Sequence, residues 1–206
     1  MLKPKVTFGN RKLPKTTMIM NITSATDCPA RKLGMCQLDK CGIGSNKCYA
    51  LKAEKFRPAT LVHRRKQQEW WDQGIMDMLY SFKDFRRKMR RTVLAVRVGE
   101  SGDLRDLRDY LNVYTLALDN PDLTWYLYTA RKDITDRLTP AIRNRDNLVI
   151  NGSGWMADNA FIAVPKGAAR PVAKEGVKKI AWCAGDCRKC TLCLKKGGTT
   201  IYAREH

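Results

Sequence analysis

Four cysteines within eleven residues, Cys183, Cys187, Cys190 and Cys193, leave the chain little choice about what its C-terminal segment does. Thiols spaced C-x3-C-x2-C-x2-C lie too close along the backbone for most of them to pair with one another without strain, so metal or cluster ligation is their natural use. A second set, Cys28, Cys36, Cys41 and Cys48, sits near the other end. An even cysteine count also fits a secreted, disulfide-stapled domain, and simple buried thiols are a third use. Residues 1–20 carry five Lys or Arg and no apolar core of the kind a secretory signal has, and no run approaches the length of a membrane span. The expectation is therefore a protein of a reducing cytoplasm that makes no membrane contact.

Four thiols in one run resemble the ferredoxin pattern that wraps a 4Fe-4S cluster, whereas structural zinc more often takes separated C-x2-C pairs. An iron–sulfur cluster is favoured for the C-terminal set, with zinc as the alternative. The looser C-x7-C-x4-C-x6-C spacing of the first set fits either metal, or a single donated ligand.

The formal charge of +19 is unevenly spread. Residues 1–90 carry 20 Lys or Arg against 7 acids, residues 91–164 carry 9 against 10, and residues 165–206 carry 10 against 3. Solubility needs far less, so a polyanion is the expected partner, with nucleic acid, and DNA in particular, favoured. Arg86, Arg87 and Arg90 cluster on one basic helix, and Arg64 and Arg65 stand just before Trp70 and Trp71. Arg97, Arg131, Lys132 and Trp155 lie in or after strand-like runs. These nine side chains are the candidate nucleic-acid contacts.

Short β-rich runs at 18–24, 92–98, 124–129, 147–151, 161–164 and 178–182 alternate with helical patterns at 58–73, 75–90, 104–118 and 134–143. Strand, helix, strand in repetition predicts mainly parallel pairing, and the length is short for a complete eightfold barrel. A single α/β domain over 1–206 follows, arranged as a compact or partial (β/α) barrel, with an open α/β sheet as the alternative. Residues 25–57 form a Cys-rich insertion after the first strand, and 183–206 a Cys-rich terminal segment. Parallel strands gather their outgoing loops on one rim, which would bring both cysteine sets, Glu100, Asp103 and Arg131 together. Glu100 and Asp103 are the candidate catalytic pair, one as proton carrier and one as nucleophile; the competing reading is a helix start capped by Ser101 or Asp103.

Several segments taken in order, Asn21-Ile22-Thr23 with Cys28-Pro29, Cys48-Tyr49-Ala50, Glu100-Ser101-Gly102-Asp103, Tyr128-Thr129 and the terminal cysteine run, resemble a small bacteriophage family known as gene product 88. The resemblance implies a phage-encoded, cysteine-rich α/β protein of the host cytoplasm. In layout the chain is also similar to guanine transglycosylases, which exchange a base through an aspartate nucleophile beside a cysteine-bound metal. Cys183, Cys187 and Cys190 resemble the C-x3-C-x2-C motif of radical S-adenosylmethionine enzymes. The expected function is base exchange or modification in DNA with Asp103 as nucleophile. The alternatives are a non-catalytic iron–sulfur or zinc protein that binds nucleic acid or the host transcription machinery, and a radical S-adenosylmethionine-like enzyme.

Overall fold

A computed structural model describes residues 1–38, 48–169 and 179–204. Among them, eight strands form one sheet in the order β1-β2-β3-β4-β5-β6-β8-β7. They are β1 (Thr7–Phe8), β2 (Thr17–Met20), β3 (Ala95–Val98), β4 (Thr124–Thr129), β5 (Leu148–Ser153), β6 (Asn159–Val164), β7 (Ile180–Trp182) and β8 (Thr200–Arg204). All pairings are parallel except β1 with β2. The ends of the sheet, β1 and β7, do not pair with each other, so the expected barrel is an open sheet.

The central strands are apolar on both faces, as parallel strands covered on two sides must be. One face carries Met18, Met20, Val96, Val98, Trp125, Leu127, Leu148 and Ile150 into the main core. Helices α3 (Pro58–Trp71), α4 (Ile75–Lys88) and α5 (Leu107–Asp119) close that core with Trp70, Trp71, Phe82, Tyr110 and Leu116. Phe82 meets Trp125 at 5.6 Å between ring centroids, so helix α4 is seated directly on β4. Pro58 opens α3, where a missing N–H costs nothing.

Three details depart from the sequence expectation. The helix expected over 134–143 is two single turns, α6 (Lys132–Thr135) and α7 (Pro140–Arg143), because Pro140 forbids helical continuation through Thr139. Strands β1 and β8 were not foreseen, and β8 enters between β6 and β7. Parallel β5 and β6 are joined by five residues without a helix, where a crossover usually takes a dozen. Gly152 allows this: a Cβ there would lie 2.3 Å from the Trp155 carbonyl oxygen, so the turn folds back onto bare backbone.

The remaining helices, α1 (Pro29–Lys32) and α2 (Tyr49–Phe56), lie in the segment between β2 and α3. Among the described residues, no helix is long and apolar enough to cross a membrane.

Candidate functional site

The second face of the sheet is the one that matters for chemistry. Alternation along β3 and β4 turns Val96, Val98, Trp125 and Leu127 to the helices and leaves Arg97, Tyr126 and Tyr128 on the opposite side. There a cavity of about 1060 Å³ touches residues from every strand from β2 to β8, so this face is concave and the open sheet curls around a single chamber.

All seven described cysteines line that chamber: Cys28, Cys36 and Cys48 from the first set, Cys183, Cys187, Cys190 and Cys193 from the second. Cys41 lies outside the described residues. The seven are free thiols. Cys28 and Cys48 precede the first turns of α1 and α2. Burial and the field of Asp103 push the Cys28 thiol up to about 12. Burial likewise raises Cys187, against the pull of Arg97, and carries Cys193 up to about 11 although the Tyr128 hydroxyl donates to its sulfur. Without a metal Cys28, Cys187 and Cys193 are protonated thiols. Among the described residues, no three His, Cys, Asp or Glu side chains already stand as a metal-holding group.

The 183–194 segment is held down by polar residues that the sequence reading did not single out. Asn151 and Asn159 are fully buried; Asn159 Nδ2 donates to Asn151 Oδ1 at 3.1 Å and to the Lys195 carbonyl at 2.9 Å. Asn151 Nδ2 donates to the Cys193 carbonyl at 3.1 Å. Leu194 packs beside Tyr126 and Val149, and the Cys187 N–H donates to the Lys12 carbonyl. Gln37 does the same for the first set: its Nε2 reaches Ser153 Oγ and the Phe161 carbonyl, both at 2.8 Å, which ties the Cys36 segment to β5 and β6. An asparagine inside an apolar strand, as in Leu148-Val149-Ile150-Asn151, was the available signal.

Glu100 and Asp103 occupy a turn after β3 in which Gly99 and Gly102 have φ of 71° and 73°. The helix cap is neither of them: Asp106 caps α5, accepting from the Asp109 N–H at 3.1 Å. Both line the cavity, but their situations differ. The Glu100 carboxylate accepts from Asn10 Nδ2, and its carbonyl from the Tyr49 hydroxyl at 2.7 Å. Asp103 is buried and fully engaged: Oδ1 accepts from Thr129 Oγ1 at 2.6 Å and the Leu104 N–H at 2.7 Å, and Oδ2 from the Ala130 N–H at 2.8 Å. Burial pushes its carboxyl up to about 6, against those hydrogen bonds and the nearby Arg131 charge. It therefore braces the loop after β3 against the end of β4.

Gly102 is the most constrained point of this turn. A Cβ there would lie 2.0 Å from Thr23 Oγ1 and 2.4 Å from the Thr23 carbonyl oxygen. Gly102→Ala should cost about 1–3 kcal/mol from that collision and the left-handed backbone, read as a shift in the denaturant midpoint. A shift under about 0.5 kcal/mol would mean the turn relaxes freely.

Most of the basic candidates already have an acidic partner, Arg64 and Arg131 inside the fold and Arg65, Arg86, Arg87 and Lys132 at the surface. Arg64 is buried against Glu54 at 2.7 Å, and Arg65 reaches Asp27 at 3.2 Å. Arg86 pairs with Asp122 at 2.6 Å, and Arg87 pairs with Asp84 at 2.8 Å. Arg131 holds Asp133 and the carbonyls of Leu104 and Arg105, and Lys132 pairs with Asp136. Trp155 packs on the main core and donates to the Thr129 carbonyl. Arg90 is exposed. The basic end of α4 precedes β3, whereas the cavity loops follow it, so Arg86, Arg87 and Arg90 stand at the opposite edge of the sheet from the Glu100 turn. The cavity has its own cations, Arg11, Lys12, Arg31, Arg97 and Arg204, against Glu100, Asp103 and Asp186.

Fold and chamber together define a mostly parallel, open α/β protein whose concave face is ringed with thiols. The chain belongs to the gene product 88 family, whose model matches residues 4–174 and so takes in the first cysteine set and ends before the second. No curated protein and no solved structure matches it.

Proposed function

We propose that the protein is a metal–thiolate enzyme in which the 183–193 cysteine run holds an iron–sulfur cluster at the chamber wall, and a nucleic-acid base or nucleotide is altered beside it. What carries the reading is the convergence of seven cysteines, from both ends of the chain, on one chamber large enough for a nucleotide. An all-sulfur donor set suits iron–sulfur or zinc. Because burial keeps Cys187 and Cys193 protonated, loading must displace protons, so uptake should rise with pH. A thiolate-bound cluster supplies one-electron chemistry. Within this reading the chain's own residues have distinct tasks. The cavity cations offset the charge of phosphate, Glu100 carries a proton at its carboxylate, and Asp103 holds the two loops in register. Basic side chains outside the chamber keep contact with the nucleic-acid backbone.

Protein purified without air should contain about four iron and four sulfide per chain and absorb broadly near 400 nm. The double variant Cys187→Ser/Cys190→Ser should bring both to background. Colourless protein with stoichiometric zinc, or with no metal, would overturn the cluster.

A second reading, base exchange with Asp103 attacking the sugar C1′, draws on its position in the chamber wall and its raised pKa. Asp103→Asn with an intact fold separates the two. Base exchange that persists in that variant removes the nucleophile role.

A further inference from the structure

Among the described residues, Arg97 forms no ion pair. It lies mid-strand in β3, between Ile19 of β2 and Tyr126 of β4 in the sheet register, and looks into the chamber. Its guanidinium stacks over the Tyr128 ring at 5.0 Å. Its Nε is sealed from solvent and meets no acceptor. The other enclosed arginines are matched: Arg64 with Glu54, Arg131 with Asp133, and Arg105 with Asp109. Glu100 is near enough to favour the Arg97 charge, but among the described residues its carboxylate is hydrogen-bonded to Asn10 and not to the guanidinium. The Nε itself is sealed, so an anion entering the chamber would meet the terminal nitrogens of this half-buried guanidinium.

The surroundings define what else that anion carries. Tyr126, Tyr128 and Phe161 form an aromatic ledge beside the guanidinium, with edge-on contacts at 6.2 and 5.1 Å. A flat, polarizable group can lie against such a ledge while a charged group reaches the guanidinium.

We propose that Arg97 anchors the phosphate of a nucleoside monophosphate unit, free or within a strand, whose base rests on the Tyr128–Phe161 ledge. The inference rests on the chamber being the substrate site, as in the reading above, but not on the identity of the metal.

The test compares binding of the 5′-monophosphates of adenosine, guanosine, cytidine and uridine with binding of the parent nucleosides. It uses calorimetry on the full chain purified without air, and single-stranded decamers tell a free nucleotide from one within a strand. At least one monophosphate should bind wild-type protein about tenfold or more tightly than its nucleoside. Arg97→Met should erase that difference while leaving the nucleoside affinity within about twofold. Arg97→Lys should retain part of it, and melting curves on all three proteins report the fold.

A wild-type protein indifferent to the phosphate, or an Arg97→Met variant that keeps the preference, would overturn the proposal. So would an Arg97→Met variant that loses iron with the preference intact, since the guanidinium would then serve the thiolates. Iron measured on the same samples separates the two readings. Phosphate preference without iron removes only the cluster, and iron without an Arg97-dependent preference removes only the anchor.

Discussion

Arg64→Met should lower stability by about 3–5 kcal/mol, because it leaves the Glu54 carboxylate charged and buried without its cation. Both side chains are almost wholly enclosed, at 7% and 1% exposure. Burial pushes the Glu54 carboxyl up. The N–H groups of Ala25 and Thr26, the Thr26 hydroxyl and Arg64 outweigh it and hold the group below the usual glutamate range. The same carboxylate also takes the Ser101 hydroxyl, so Glu54 joins the segment before Cys28 to the Glu100 turn. Urea unfolding gives the cost, and Glu54→Gln/Arg64→Met should recover a substantial part of it. A loss under about 1 kcal/mol would show that water reaches Glu54.

Asp103 should impose an inverted pH dependence. Its carboxyl titrates near 6 when folded, against 3.8 in the unfolded chain. Between those values the folded state binds more protons, so this group's contribution falls by about 2 kcal/mol as pH rises from 4 to 6.5 and is nearly level above that. Asp27, Asp122 and Asp133 act oppositely and only below the usual aspartate range, since hydrogen bonds and neighbouring cations hold them down. Asp103→Asn should flatten the curve in the window. It should also cost about 1–3 kcal/mol where an amide NH2 faces the Ala130 N–H. Denaturant midpoints from pH 4 to 8 on both proteins decide it. His63, held below its usual value by burial, and Glu54 act the other way in the same window, so the difference between the two curves is what counts: a difference that does not change with pH would show Asp103 ionised at low pH.

The alternation of short apolar runs with amphipathic stretches was enough to give a mainly parallel sheet covered by α3, α4 and α5. The turn between Val98 and Leu107 was legible because Gly-Glu-Ser-Gly-Asp is unusual chemistry after an apolar strand. The gathering of both cysteine sets followed from strand direction alone. The fate of the arginines was not legible. Whether Arg64 meets solvent or Glu54 depends on α2 packing against α3, and nothing local in Arg64-Arg65-Lys66 distinguishes the inward residue from its neighbours. Strand β8 escaped notice because five residues between a glycine pair and a charged end carry little periodic signal. Arg97 was one of nine candidate nucleic-acid contacts, and only the packing of the second sheet face shows that it lies over Tyr128 in the chamber.

The position of β8 has a bearing on how the protein assembles. Strand β7 has only β8 as a neighbour, and β8 must first find β6, so β7 cannot join the sheet until a strand later in the chain has done so. The second thiol set lies in the connection between them. Its four sulfurs are therefore fixed relative to the chamber only when β7 and β8 are both paired, so their mutual geometry depends on the two strands at the far edge of the sheet.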